Sequence, residues 1–176
     1  MPSVHTQNSR SSQLLAQALQ HHQAGRIAAA ATIYAELRKL DPNGFEGFHL
    51  GGAAALQLSK LDQAVPLLRQ AIALRPTSGS THMCLGLALG QLGQLEKAEE
   101  HLAKATQLEP KNAEAWCNYG SGLMVCGKID EAETAFRKSL QLSPKSADAW
   151  SALGSNLYFR GKTTEALECQ TRALEL

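Results

Sequence analysis

One block of residues, Ala113 to Ser146, recurs in register along the chain, and its length of 34 residues leaves few folds open. It reads Trp116-x2-Tyr119-Gly120-x2-Leu123, then Ala132-x3-Phe136, Ser139 and Pro144. That order of large, small and helix-breaking side chains describes two antiparallel helices. The first is predicted from Ala113 to about Cys126, with a turn at Gly127-Lys128 where glycine takes the left-handed conformation that ends a helix. The second follows Asp130, read as its N-cap with Glu133 three residues on, and closes near Ser143-Pro144.

Sliding the block by its own length finds it on both sides. Upstream the frame gives Leu85-Gly86, Gly93, Ala98, Leu102, Ala105 and Pro110, preceded by Gly51-Gly52, Ala64, Leu68, Ala71 and Pro76. The first copy is the loosest, with Leu14, Ala18, Gly25, Ala30, Tyr34, Leu37 and Pro42. Downstream come Trp150, Leu153-Gly154, Leu157, Gly161, Ala166 and Ala173. This period and residue order resemble the tetratricopeptide repeat, a helix-turn-helix with W-x2-L-G-x2-Y, A-x3-F and P landmarks. The resemblance covers residues 11–176 and rests on five in-register copies: 11–44, 45–78, 79–112, 113–146 and the truncated 147–176. It implies an all-α fold, a right-handed α-solenoid (superhelix) of five helix pairs. It also implies the usual family role, holding a partner protein or peptide in the concave groove.

Composition agrees. A hydrophobic content of 44% against 19% charged residues suffices for a continuous helical core and excludes a wholly disordered chain. The net charge of +1 is spread without a basic patch or stripe, which disfavours nucleic acid as a partner. Residues 1–10 are polar and aperiodic and read as a disordered leader, with Ser11 or Ser12 capping the first helix. No signal-peptide core and no membrane-length apolar run is present, so the default is a cytoplasmic protein without membrane insertion. Cys84, Cys117, Cys126 and Cys169 lack paired spacing and read as reduced apolar fillers.

The copies differ in informative ways. Ser59 occupies the turn slot that glycine fills in the other four, which predicts a strained or rearranged turn. Pro66 falls about one turn into its helix, where the loss of one N–H is tolerable. The third copy carries Glu96, Lys97, Glu99, Glu100 and Lys104, a solvated face on which Glu100 and Lys104 stand at the pairing distance i,i+4. In the fifth copy Leu167 and Leu174 share one stripe, which lies where a sixth repeat or a following domain would stack and looks uncapped; a further reading makes it a self-association surface, a homodimer contact through the C-terminal repeat.

Within each first helix, repeat positions 4, 7, 8 and 11 lie on one stripe and pack on the second helix, while positions 2, 6, 9 and 13 point away. The free positions and their flanks give a candidate concave groove of Glu46, His49, Leu50, Met83, Cys84, Leu87, Glu114, Asn118, Ser121 and Tyr158. The ribbon is mildly apolar with an acidic rim at Glu46, Glu114 and Asp148, suited to an extended or helical peptide with apolar anchors and a basic residue. The plainer reading is that these side chains touch only each other and solvent. Clamps for a peptide carboxylate resemble one another in inner Lys, Arg and Asn, where this chain has Leu15, Leu19, Leu50, Ser80 and Cys84. The inner asparagine ladder of repeats attached to O-linked sugar transferases is matched only by Asn118.

Parts for catalysis are missing from the pattern. Gly122-x4-Gly127-Lys128 imitates a phosphate loop but has Ile129 at the metal-binding hydroxyl position, and Gly161-Lys162-Thr163 has Asn156 in the first glycine slot. His21 and His22 point about 100° apart on a helix and cannot share a metal, and His82, at the aromatic position 4, reads as a packed histidine. The expectation is therefore no enzyme, no cofactor and no metal, but a protein-interaction scaffold. The runner-up is an N-terminal substrate-recruiting arm of a larger glycosyltransferase or sulfotransferase, which Gln23-Ala24-Gly25-Arg26 through Leu40-Asp41-Pro42 weakly resembles.

Overall fold

The computed structural model of the chain describes residues 4–176, with side chains from Ser9 onward. Among these residues it contains ten α-helices and no strand: α1 (Val4–Gln23), α2 (Ile27–Leu40), α3 (Phe45–Gln57), α4 (Leu61–Leu74), α5 (Gly79–Gln91), α6 (Leu95–Leu108), α7 (Ala113–Val125), α8 (Ile129–Leu142), α9 (Ala147–Phe159) and α10 (Thr163–Leu174). First helices α3, α5, α7 and α9 start at residues 45, 79, 113 and 147. Second helices start at 27, 61, 95, 129 and 163, so both series keep the same step.

The chain forms two compact units that divide inside α5, after Ala88. In the first, α1 packs on α2, α2 on α3 and α3 on α4, and α1 also meets α3. In the second, α6 packs on α7, α7 on α8, α8 on α9 and α9 on α10, and α7 also meets α9. Consecutive antiparallel pairs, with first helices touching first helices inside each unit, are what the repeat calls for.

Each pair is set by its turn. Gly25, Gly93, Gly127 and Gly161 have φ of 72–75°, and Ser59 reaches φ 56° at the equivalent place. The serine turn is thus kept in shape and strained, not rearranged, because the pair geometry overrides the Cβ penalty. The starts of α7 and α9 are capped by Asn112 and Ser146, whose side-chain oxygens accept from the N–H groups of Ala115 at 3.1 Å and Ala149 at 3.2 Å. The start of α8 differs from expectation. Lys128 holds the N-cap position without a side-chain cap, and Asp130 lies in the first turn. There its charge suits the positive helix end, while the tight glycine turn has already fixed where the helix begins.

The core repeats with the same step. Tyr34, Leu68, Leu102 and Phe136 each project from a second helix and are at most 3% exposed. Burying such a side chain contributes about 1.5–3 kcal/mol. Two of them reach the facing helix through gaps where a side chain is missing. A methyl group added at Gly52 would stand 2.7 Å from Leu68 Cγ, and one added at Gly120 would stand 2.7 Å from Phe136 Cε1. A second recurrent contact fastens each first helix to the proline before it: Trp116 Nε1 donates to the Pro110 carbonyl at 3.0 Å and Trp150 Nε1 to that of Pro144 at 2.9 Å. His82, buried at the same repeat position, holds the Pro76 carbonyl through Nε2 at 3.2 Å, so it substitutes for the indole N–H.

Glu133 is a buried hub and not the capping-box partner that its spacing predicts. It pairs with Arg137 at 2.9 Å, with Arg160 and with Lys162 at 3.7 Å, while Asp130 takes the other side of Arg160 at 2.7 Å. Burial alone would raise its carboxyl, but hydrogen bonds from Arg137 and Arg160 and the charges of Arg137 and Lys162 outweigh it and hold the group below the usual carboxylate range. Helix α4 runs unbroken through Pro66. Among the described residues Glu100 and Lys104 form no ion pair, and Glu99 instead bridges to Lys128 at 2.5 Å. Of the leader expected over residues 1–10, residues 1–3 lie outside the described residues and 4–10 are helical, so α1 begins before Ser11. A polar, aperiodic stretch of sequence can still extend a helix whose later turns are packed.

The strain at Ser59 is testable. A left-handed backbone costs an L residue about 1–2 kcal/mol, of which glycine's extra entropy in the unfolded chain takes back part. Ser59→Gly is expected to stabilise the chain by roughly 0.5–1 kcal/mol, read as a higher urea midpoint by circular dichroism. A lower midpoint would contradict the assignment.

Candidate functional site

The expected groove residues divide between the two units, and each group has its own character. In the first unit they come from α3 and α5. Glu46 is held by Arg75 at 3.3 Å, and the Arg75 guanidinium lies 3.8 Å over the Phe45 ring. His49 stacks on that same ring, 5.2 Å away and 9° from parallel, and it shares a hydrogen bond with Thr81 Oγ1 at 2.9 Å. The acidic rim at Glu46 is therefore neutralised, and His49 joins α3 to α5. Leu50 is half-buried against the cluster of Ala18, Ala30, Tyr34 and Ala54. Cys84 and Leu87 are half-buried, whereas Met83 is only 7% exposed and offers a ligand little surface. The flank position turns inward there because its long, flexible side chain fills core space.

In the second unit Glu114 and Ser121 are exposed and Asn118 is half-buried on α7. The Ser121 hydroxyl donates to the Cys117 carbonyl one turn back at 3.1 Å, which leaves its oxygen open to a donor. Glu114 and Asp148 form no ion pair among the described residues, and both carboxylates act on Cys117 from successive first helices. Burial, then Asp148 and Glu114, push the Cys117 thiol up to about 11, so it stays protonated and unreactive near neutral pH. This wall keeps the net negative field that the first unit has cancelled. Tyr158 stands apart from these residues. It is 66% exposed, edge-on to Phe159, in a groove between α9 and α10 that also includes Leu167.

Sequence pattern alone does not reveal Phe45, Arg75 and Thr81 as partners of the first wall. Arg75 lies 29 residues from Glu46, at the end of another helix, and only the stacking of pairs brings them together. The loop-like motifs are structural: Gly127 and Gly161 are left-handed turn residues, and Lys128 and Lys162 face Glu99 and Glu133. His21 and His22 have separate partners, Arg26 Nε at 2.9 Å and the Tyr34 hydroxyl at 3.2 Å. Among the described residues no group of three or more His, Cys, Asp or Glu is placed to hold a metal ion. Nor, among them, is any helix long and apolar enough to cross a membrane.

Consecutive antiparallel helix pairs with small residues at the seams define a helical-repeat protein. The sequence model of the tetratricopeptide repeat matches residues 55–118 and 87–155, more than half of the chain, and the chain belongs to that family. No curated protein sequence matches it significantly. Among solved structures it is similar to the thermophilic tetratricopeptide (TPR) protein TTC0263 of Thermus thermophilus, with 25% identity, a TM-score of 0.82 and coverage of 94% of this chain and 90% of that one. It is similar to MamA from Desulfovibrio magneticus RS-1, with 20% identity, a TM-score of 0.79 and 94% of each chain covered. It is also similar to YrrB, a TPR protein with an unusual peptide-binding site, with 22% identity, a TM-score of 0.70 and coverage of 92% and 84%.

The field at Cys117 predicts a measurable reactivity. Glu114→Gln with Asp148→Asn lowers the thiol pKa from about 11 and speeds alkylation of Cys117 by iodoacetamide at mildly alkaline pH, followed peptide by peptide by mass spectrometry. An unchanged rate would show that the two carboxylates do not face this wall.

Proposed function

We propose that the inner faces of the first helices bind a segment of a partner protein, so that the chain acts as a scaffold and not as a catalyst. The observation that carries this reading is the pair of unneutralised carboxylates, Glu114 and Asp148, on successive first helices beside a half-buried apolar wall. A carboxylate pair left open to solvent beside apolar surface favours a segment with apolar anchors and a Lys or Arg. In the first unit Leu50, Cys84 and Leu87 supply partly open apolar surface, and Glu46 is already satisfied by Arg75. That wall therefore selects by shape and apolar contact, and the second by charge. Family membership supports the reading, as does the peptide-binding site of YrrB, to which this chain is similar.

The test uses peptides selected from a random library on the intact chain and measured by fluorescence anisotropy. Leu50→Asp with Leu87→Asp, or Glu114→Gln with Asp148→Asn, should each weaken the peptides that use that wall by about tenfold or more, equivalent to about 1.4 kcal/mol. Loss at the carboxylate wall should be larger at low salt, and Glu100→Gln on the outer face should change nothing. Selected peptides indifferent to both pairs would overturn the proposal.

A further inference from the structure

The second repeat lacks a side chain where the three repeats after it have a large one, and the first repeat answers with a charge. Gly51 of α3 corresponds to Leu85, Tyr119 and Leu153, of which Leu85 and Leu153 are 1% and 2% exposed. Arg38 of α2 reaches into that place: a methyl group on Gly51 would overlap its Nη1, and one on Gly47 would stand 3.0 Å from its Cγ. The counterparts of Arg38, which are Ile72, Thr106, Leu140 and Leu174, are all uncharged. The guanidinium fills only part of the space. Helices α2 and α4 each pack on α3 and, among the described residues, not on one another. Between them remains a cleft of about 300 Å³, with Ala28, Ala31 and Ala35 on one side, Gly51 and Ala55 beneath and Leu67 opposite.

The cleft is cationic. Arg38 and Lys60 are the charged side chains along it, and no carboxylate lines it among the described residues. Neither cation forms an ion pair among those residues. Arg38 is half-buried, with Nη1 donating to the Gly47 carbonyl at 3.0 Å and the Phe48 ring 6.0 Å away. Burial holds its pKa below the ordinary arginine value. One carbonyl satisfies one N–H and leaves the charge uncompensated, whereas an apolar side chain such as Leu140 would fill the same seat without desolvating a cation. The uncharged polar side chains do not supply the missing partner: the Thr32 hydroxyl donates to the Ala28 carbonyl at 3.1 Å, and Gln63 is exposed. Nε and Nη2 of Arg38 have no protein acceptor among the described residues, and such a side-by-side pair of donors matches the two oxygens of a carboxylate. The alanines alongside offer contact to an alkyl chain and nothing to a hydrated polyanion. At about 300 Å³ the space is at the small end of ligand pockets, which fits a small molecule better than a peptide segment. We propose that this cleft binds a small carboxylic acid in its ionised form, its carboxylate on Arg38 and its short apolar tail along the alanines of α2, with Lys60 adding to the field that draws the anion in.

The test is a titration of the intact 176-residue chain with sodium hexanoate at low ionic strength, followed by NMR at the methyl groups of Ala31, Ala35 and Ala55 and the Nε–H of Arg38. The expected result is a saturable shift centred on these groups, with binding at least about tenfold weaker in Arg38→Gln, which removes the charge and keeps an amide donor. Hexylammonium, with the same tail and the opposite charge, should not saturate them. Inorganic phosphate, which has no tail to bury, should bind at least about tenfold more weakly than hexanoate. A second variant, Arg38→Leu with Gly51→Leu, installs the residues that stand at these positions in the fourth and fifth repeats, Leu140 and Leu153. It should stay folded, with a urea midpoint no lower than that of the wild type, and lose hexanoate binding. Shifts that fail to saturate, that survive Arg38→Gln at full strength or that hexylammonium matches overturn the proposal. Phosphate binding as tight as hexanoate would make the cleft a bare anion site, and equal binding of a short acetylated peptide with a single Glu would give it to a protein side chain; either result overturns the small-acid form.

Discussion

The seating of one large side chain over a position without a side chain is the contact on which two helix pairs of this chain, α3–α4 and α7–α8, depend. Phe136 rests over Gly120 and Leu68 over Gly52, and in both cases no methyl group fits between them. This close approach draws the two helices of a pair together and fixes which face of the first helix is inward. The opposite face is released from packing duty and its residues are free to differ from repeat to repeat. The left-handed turns at Ser59 and Gly127 serve the same end, since they deliver the second helix at the angle the seat requires.

The period is legible in the sequence because its markers are local. Turn glycines, prolines and the alternation of large and small residues announce their roles at their own positions, and helix starts 34 residues apart follow from them. Side-chain partners are not legible where they come from another helix pair. The charge on Glu46 is cancelled by Arg75 and that on Glu133 by Arg160, residues 29 and 27 positions away. Nothing in the local pattern distinguishes those acids from Glu114 or Asp148, which form no ion pair among the described residues. Helical phase places Met83 on the wall, but phase gives a direction and not whether neighbouring atoms close over the side chain. Asn156 shows the same limit: it is wholly buried, its amide donating to the Ile129 carbonyl at 2.9 Å, although its residue type reads as surface.

The two units carry the same framework with different inner chemistry. Around α3 and α5 the polar residues are spent on one another, in the chain Arg75, Phe45, His49 and Thr81, and the remaining surface is apolar. Around α7 and α9 the carboxylates are unspent and their field reaches the Cys117 thiol. Variation of this kind at positions the fold does not need is how a repeat scaffold acquires selectivity. The turns at Gly127-Lys128 and Gly161-Lys162 have no such freedom, because glycine is committed there to helix reversal and lysine to ion pairs.

The central claim, that the seat of a large side chain over glycine organises the α3–α4 and α7–α8 pairs, is tested most directly by a double-mutant cycle between Gly120→Ala and Phe136→Leu. In the presence of Phe136 the added methyl should cost about 1–3 kcal/mol of unfolding free energy, as overpacking does. In the Phe136→Leu background, where the seated side chain is shorter, the cost should fall by at least about 0.5 kcal/mol, a coupling outside the range of independent sites. Strictly additive effects would mean that the two residues do not share a seat and that the pair geometry is set elsewhere.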